Sequence, residues 1–432
     1  MKHVVIVGGG FAGLSCAREL ARSKDLRITL IDKNNYQQFQ PLLYQVATGM
    51  LAPSNIASNL RNCFRDHSNV DVKMAEVVSV DLHTRTVITR EGPQYHGDFL
   101  VLAAGSRANF FGTPGAEQAS YPLYSLRDAE VLRSRILAVL EAADRDPSLV
   151  EKGALNFVIV GAGPTGAEMA GAFGDAAKVL QKDRRFKNLA PGQAQIILVD
   201  RGDAVLHAFS DQSQTYAATA LKKRGVQLLL GTAIHKVCPD QVALSDGTTI
   251  KTRTVIWAGG LEAAGLSSNL GIKPGRGGRV DVAPDLSVIG FEGVYALGDF
   301  ANISGPGGKP LPQLASVAEQ SGRWCARNIL SDVAGRARSP FRYRDKGIMA
   351  MIGRNSGVAE VGARRRCLQG PIAFVAWLGV HVALLTSTRA KIEAIIEWAW
   401  DYFGKLRSNP ILDRVEQTYI DWNHREVDVS GP

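Results

Sequence analysis

The run His3-Val4-Val5-Ile6-Val7-Gly8-Gly9-Gly10-Phe11-Ala12-Gly13 decides the fold. His3 to Val7 read as a short buried strand, a glycine turn follows, and Leu14 to Ala21 read as a helix. Gly8 permits the tight turn, Gly10 lets backbone approach a pyrophosphate, and Gly13 lets the helix pack closely on the strand. The helix N-terminus adds its partial positive charge. A second strand, Ile28 to Ile31, ends at Asp32, where a carboxylate accepts ribose hydroxyls. The pattern then recurs. Phe157 to Val160 lead into Gly161-Ala162-Gly163-Pro164-Thr165-Gly166, a helix follows from Ala167, and the strand Gln195 to Val199 ends at Asp200. A lone glycine fingerprint is weak evidence, whereas two with strand, helix and acid in place predict two mononucleotide cradles. The expected fold is therefore α/β, with two Rossmann-like dinucleotide-binding domains, and two bound dinucleotides suggest electron transfer between them.

At 432 residues the chain exceeds what one core supports, which predicts two domains and an appendage. Hydrophobic residues at 45% and charged residues at 21% argue for a folded globular protein and against disorder. A net charge of +9 favours anionic partners, whether cofactor phosphates, acidic lipid head groups or nucleic acid. Nucleic acid is the weakest of these, because neither a basic stripe interleaved with aromatics nor a zinc-finger spacing is present. Cys16, Cys63, Cys238, Cys325 and Cys367 are scattered, without a close pair for a dithiol centre or a metal, and fit a reducing compartment. The chain opens directly into an apolar strand without the features of a signal peptide, so a cytoplasmic location is expected.

Spacing alone does not say which cradle takes which cofactor. The chain resembles the two-dinucleotide-binding flavoproteins through Leu100-Val101-Leu102-Ala103-Ala104-Gly105, Val255-Ile256-Trp257-Ala258-Gly259-Gly260 and Val294-Tyr295-Ala296-Leu297-Gly298-Asp299. That resemblance implies FAD in the first cradle and NAD(P)H in the second, with Asp299 delivered to the ribityl hydroxyls; the plain alternative for Asp299 is a turn residue after glycine. It also adds Lys33, Ala104, Gly105, Ala315 and Gly259 to the cofactor-binding set. The implied order is an FAD half over 1–118, a nicotinamide domain over 119–284, a second FAD half over 285–370, and a membrane-associating or dimerising region over 371–432.

Within that group the thiol branches carry a cysteine pair that is missing here, which disfavours disulfide reductases and sulfide:quinone reductases. The stretch Phe39-Gln40-Pro41-Leu42-Leu43-Tyr44-Gln45-Val46-Ala47-Thr48-Gly49, and the tail from Lys346 to Phe403, resemble the type II NADH:quinone oxidoreductases. The resemblance runs through essentially the whole chain. It implies hydride transfer from NADH to FAD and two electrons onward to a membrane quinone, without proton pumping, in a respiratory chain. One departure stands out. The family's Ala-Gln-x-Ala-x-Gln motif reads Ala315-Ser316-Val317-Ala318-Glu319-Gln320 here. Ser316 and Gln320 are the candidate acceptor-site residues, and the alternative is a helix from near Gln313 that merely packs beside the flavin. Glu168, just after the second fingerprint, is the candidate proton-handling group, or else a carboxylate favoured by the helix dipole. Asp200 favours NADH by repelling a 2′-phosphate, whereas the adjacent Arg201 could accept one. A soluble flavin reductase with another acceptor and a nicotinamide-binding redox sensor both remain open.

From Pro371 to Thr388 the chain carries no charged residue, and Gly379 and His381 interrupt the run, so lying in the interface is expected over crossing the bilayer. Ile392, Ile395, Ile396, Ala399 and Phe403 then recur at helical spacing, opposite Glu393, Glu397, Asp401 and Lys405. Trp398, Trp400 and Tyr402 suit a membrane–water boundary. From 371 onward six basic residues face eight acidic ones, so attachment must rest on apolar insertion, assisted by Arg364, Arg365 and Arg366. The alternative is burial against the flavin domain or a second subunit. The resemblance implies the cytoplasmic face of the membrane, and a homodimer as a possible assembly.

Overall fold

The computed structural model describes residues 1–180, 186–190, 192–362, 364–403, 420 and 422. Two compact units emerge, one of Met1–Gln38, Ala57–Arg107 and Leu261–Lys346, the other of Phe39–Ile56, Ala108–Gly260 and Gly347–Pro432.

In the first unit, Lys2–Val7 forms the centre of a five-stranded parallel sheet, flanked by Leu26–Asp32 and Val70–Met74 on one side and Phe99–Leu102 and Val294–Ala296 on the other. Val4 to Val7 are all buried, as a central parallel strand covered on both faces requires. Helix Phe11–Leu20 crosses Ala315–Val333 so closely that a Cβ on Gly322 would lie 2.1 Å from the Ala12 carbonyl oxygen. The later helix starts at Ala315, two residues beyond the expected Gln313.

In the second unit, Asn156–Val160 lies between Gln195–Asp200 and Thr254–Trp257, with Val226–Leu230 and the short Tyr121–Pro122 outside them, again all parallel. Helix Leu126–Arg145 begins with a capping box between Ser125 and Asp128. An antiparallel sheet of Gly347–Gly353, Ser356–Val361 and Arg366–Gln369 packs on the cradle helix Pro164–Leu180, where a Cβ on Gly171 would lie 2.3 Å from the Ile352 carbonyl oxygen. Helices Gly370–Leu384 and Thr388–Phe403 follow.

The unit boundaries differ from those expected at 118, 284 and 370. Residues 39–56 leave the first unit through a neck in which Tyr36 pairs with Asn59, and they group with the second. Residues 347–370 also join the second, because their sheet is held against Gly171. Helices Gly370–Leu384 and Thr388–Phe403 group with that unit. Lys405, Arg407, Arg414 and Arg425 lie outside the described residues.

Candidate functional site

The two fingerprints build nearly the same object, one in each unit. Gly8 and Gly161 have φ of +102° and +101°, which an L side chain resists. A Cβ on Gly8 would meet the Ala103 carbonyl oxygen at 2.2 Å, and one on Gly161 the Ala258 oxygen at 2.4 Å. Gly13 and Gly166 sit so close to the turn that a Cβ on either would lie 1.8 Å from the carbonyl oxygen of Gly8 or Gly161. Gly10 and Gly163 differ, since a Cβ there would meet nothing within 4 Å. Those two face open space at a helix N-terminus, where a pyrophosphate fits.

The strand-end acids are held in matching fashion. Asp32 accepts from the Gly9 amide at 2.6 Å and the Asn34 amide at 2.7 Å. Asp200 accepts from the Ala162 and Gly202 amides, both at 2.6 Å. Each carboxylate is thus aimed by backbone while keeping lone pairs for ribose hydroxyls. Burial pushes Asp32 above the usual carboxylate range. Asp299 is likewise pushed up by burial, and its Oδ2 accepts from Ser106 at 3.1 Å. Gly105 (φ +73°) lies three residues beyond the strand Phe99–Leu102, and its carbonyl accepts from the Ala264 amide. Ala315 opens its helix, Lys33 is exposed beside Asp32, and Gly259 follows strand Thr254–Trp257. Arg201 is exposed, with its guanidinium 5.5 Å above the Phe111 ring. The residues in both places fit a dinucleotide.

Glu168 departs from a simple helix-dipole reading. It is the fifth residue of helix Pro164–Leu180, and its carboxyl is buried. Burial pushes its pKa up to about 8, against the lowering effect of hydrogen bonds to Oε1 from the Met351 amide (3.1 Å) and the Trp377 indole (3.2 Å). The acid form therefore persists at neutral pH.

Glu168 lines an apolar cavity of about 630 Å³, whose walls include Tyr44, Gln45, Met351, Phe374 and Trp398. Around it run two polar threads. Trp398 donates to Gln45 Oε1 at 2.7 Å, Gln45 donates to the Tyr44 hydroxyl at 2.9 Å, and Tyr44 donates to Met351 Sδ at 3.3 Å. Trp377 stacks on His381 at 3.8 Å, and burial pulls that imidazole down to about 4.

The chain matches the family model described as pyridine nucleotide-disulphide oxidoreductase over residues 2–322. It is 36% identical to the type II NADH:quinone oxidoreductase Ndh of Mycobacterium tuberculosis over 421 residues, covering 94% of this chain and 89% of that one. The chain belongs to the type II NADH:quinone oxidoreductase family. The type II NADH:quinone oxidoreductase of Haemophilus influenzae is 26% identical over 415 residues, covering 88% of this chain and 93% of the relative. The solved structure of NDH2 from Plasmodium falciparum in complex with NADH shares the fold, with a TM-score of 0.86 at 19% identity, covering 95% of this chain and 99% of that one.

In this member of the type II family the altered motif is committed to its own unit. The Ser316 hydroxyl is 2.9 Å from the Tyr343 hydroxyl. Gln320 donates to the Arg344 carbonyl and accepts from its amide, both at 3.0 Å. Tyr44 and Gln45 line the cavity, and Trp377, stacked on His381, bonds Glu168 in its wall, although none was singled out chemically from sequence. Trp398, expected at a membrane boundary, is 8% exposed and bonded to Gln45. The available signal was a Tyr-Gln pair inside an otherwise apolar segment, Leu42 to Ala47.

Proposed function

We propose that this chain is a type II NADH:quinone oxidoreductase whose quinone enters the apolar cavity beside Glu168. The carrying observation is that cavity, with a carboxyl in its wall that keeps its proton up to about pH 8. When bound, FAD accepts a hydride from NADH and passes two electrons to the acceptor. The net reaction, NADH + H⁺ + quinone → NAD⁺ + quinol, draws one proton beyond the hydride. Glu168 holds that proton, and the apolar walls keep water from competing for it. Gly8, Gly10 and Gly13, with Asp32 and Asp299, seat the FAD. Gly161, Gly163, Gly166 and Asp200 seat the NADH. Asp200 favours NADH, and Arg201 leaves some use of NADPH. Ser316 and Gln320 hold the 343–344 segment through Tyr343 and Arg344, and each keeps hydrogen-bonding capacity for an acceptor.

The test is an anaerobic stopped-flow experiment in which NADH first reduces the protein and a short-chain ubiquinone then reoxidises it. Glu168→Gln slows the quinone step on the order of a hundredfold, whereas reoxidation by ferricyanide, which takes no proton, slows far less. Equal slowing of both acceptors, or none of either, overturns the role of Glu168.

We also assign the C-terminal helices to a lipid surface at the cytoplasmic face. Ile372, Val375, Ile395, Ile396, Trp400 and Phe403 are each at least 50% exposed, and apolar area of this kind inserts into an interface. No helix among the described residues is long and apolar enough to cross a membrane. All five cysteines are free.

A further inference from the structure

Tyr44 stands in the cavity wall with its hydroxyl proton poorly used. The hydroxyl accepts from Gln45 Nε2 at 2.9 Å and donates to the Met351 thioether at 3.3 Å. A thioether is a weak acceptor. The direction of this chain of bonds is set from outside. Trp398 has only an N–H to offer, and it is received by Gln45 Oε1 at 2.7 Å. A flipped Gln45 amide would turn its NH₂ toward that N–H, donor against donor, so Nε2 must point at Tyr44. The tyrosine oxygen is then a recipient on that side, and its own proton goes to the Met351 sulfur, in the wall that both residues line. Met351 ties the arrangement to Glu168, because its amide donates to Glu168 Oε1 at 3.1 Å while its sulfur receives Tyr44. Two buried groups that carry protons at neutral pH therefore share one anchoring residue.

We propose that Tyr44 donates a hydrogen bond to a carbonyl oxygen of the quinone, which displaces the Met351 sulfur as its acceptor, and that Gln45 and Trp398 act as positioning residues that keep the hydroxyl proton aimed at it. This rests on the assignment of the cavity to the quinone. A carbonyl oxygen is a far better acceptor than a thioether, and it gains negative charge as electrons arrive, so the bond strengthens during reduction. Burial pushes the Tyr44 phenol well above its usual value, which keeps it a donor at any working pH. The acceptor class that follows is a quinone with an exposed ring carbonyl, rather than an electron acceptor without a hydrogen-bonding oxygen.

The experiment measures steady-state NADH oxidation by the full chain with FAD bound, using a short-chain ubiquinone and ferricyanide as alternative acceptors. Tyr44→Phe lowers the ratio of quinone to ferricyanide efficiency by roughly tenfold, the worth of one hydrogen bond. Gln45→Leu, which leaves the hydroxyl in place but unaimed, lowers it by a smaller factor. Met351→Leu is close in volume and removes the competing sulfur, so it lowers the KM for quinone; a purely structural Tyr44–Met351 contact predicts no such gain. A Tyr44→Phe protein with an unchanged ratio, or a Met351→Leu protein with an unchanged or raised KM, overturns the proposal. Gly379→Phe tells apart the two ways of failing. Gly379 lines the cavity and a Cβ there meets nothing within 4 Å, so a side chain can be added at the cavity wall without displacing backbone. If Gly379→Phe blocks quinone reduction while Tyr44→Phe leaves the ratio unchanged, the role of Tyr44 alone is wrong. If neither variant matters, the cavity assignment has failed as well.

Discussion

Glu168 shows how much one residue's chemistry depends on its partners. Its pKa of about 8 is set first by burial, which penalises the charged form, and then moderated by the Met351 amide and the Trp377 indole. Trp377→Phe removes one of those donors, so the pKa rises further. The alkaline limb of the pH profile for quinone reduction is then expected to shift upward by roughly half a unit to one unit, with flavin reduction by NADH serving as the control. An unmoved limb would mean that Glu168 is not the titrating group. The same shift has a consequence for stability. The folded chain holds this proton up to about pH 8, whereas the unfolded chain sheds it near its ordinary value of 4.5. Stability from this group therefore falls as pH climbs through that window and is level above it. Glu168→Gln should accordingly raise Tm at alkaline pH and have little effect near the bottom of the window. His381 works in the opposite sense. Its folded value of about 4 lies below the usual 6.5, so its contribution is lost as pH falls between the two.

Among the elements, the last two helices carry the largest difference between pattern and placement. In helix Gly370–Leu384 the buried positions are Gly370, Ala373, Phe374, Trp377 and His381, a single face at helical spacing. In helix Thr388–Phe403 the buried face is Ala390, Ala394 and Trp398, while the isoleucine stripe at 392, 395 and 396 points outward. The periodicity was legible in the sequence, but it was silent on which side meets the protein. Small residues win the inner face because the helix lies close, with Trp398 reaching Gln45 and Glu393 accepting from Asn55 at 3.2 Å. The double variant Ile395→Asp, Ile396→Asp should weaken cosedimentation with phosphatidylglycerol-containing vesicles by at least tenfold, since two buried side chains contribute about 3 kcal/mol or more, while flavin content is retained. If a second copy of the chain covers this stripe, the variant instead changes the mass seen in sedimentation velocity and leaves vesicle binding alone.

On the scale of the whole molecule, two separate units each carry a complete cradle, which allows them to be disabled one at a time. Gly13→Ala forces a Cβ toward the Gly8 carbonyl, and Gly166→Ala does the same at Gly161. The first should purify with most of its flavin lost. The second should stay yellow yet no longer bleach with NADH. Loss of flavin from Gly166→Ala would show that the cradles have been assigned the wrong way round. These cradles were readable in advance because they are local: a strand, a glycine turn, a helix and the next strand's terminal acid lie within about forty residues, and their backbone geometry admits little but glycine at the tight positions. The paired amides at Asp32 and Asp200 follow from that same short-range geometry. The cavity is of another kind. Tyr44, Glu168, Met351 and Trp398 in its wall, with Trp377 bonded to Glu168, come from distant parts of the chain, and no spacing relates them. Whether the Glu168 carboxyl meets water or an indole was decided by where the C-terminal helices pack, because burial and hydrogen bonding are properties of the assembled neighbourhood. By itself the sequence determined two dinucleotide cradles and a helical periodicity in the tail, since those are written in local periodicity and glycine sterics. Only the tertiary structure decided that the tail closes over Glu168, because desolvation acts between residues that the chain order keeps far apart.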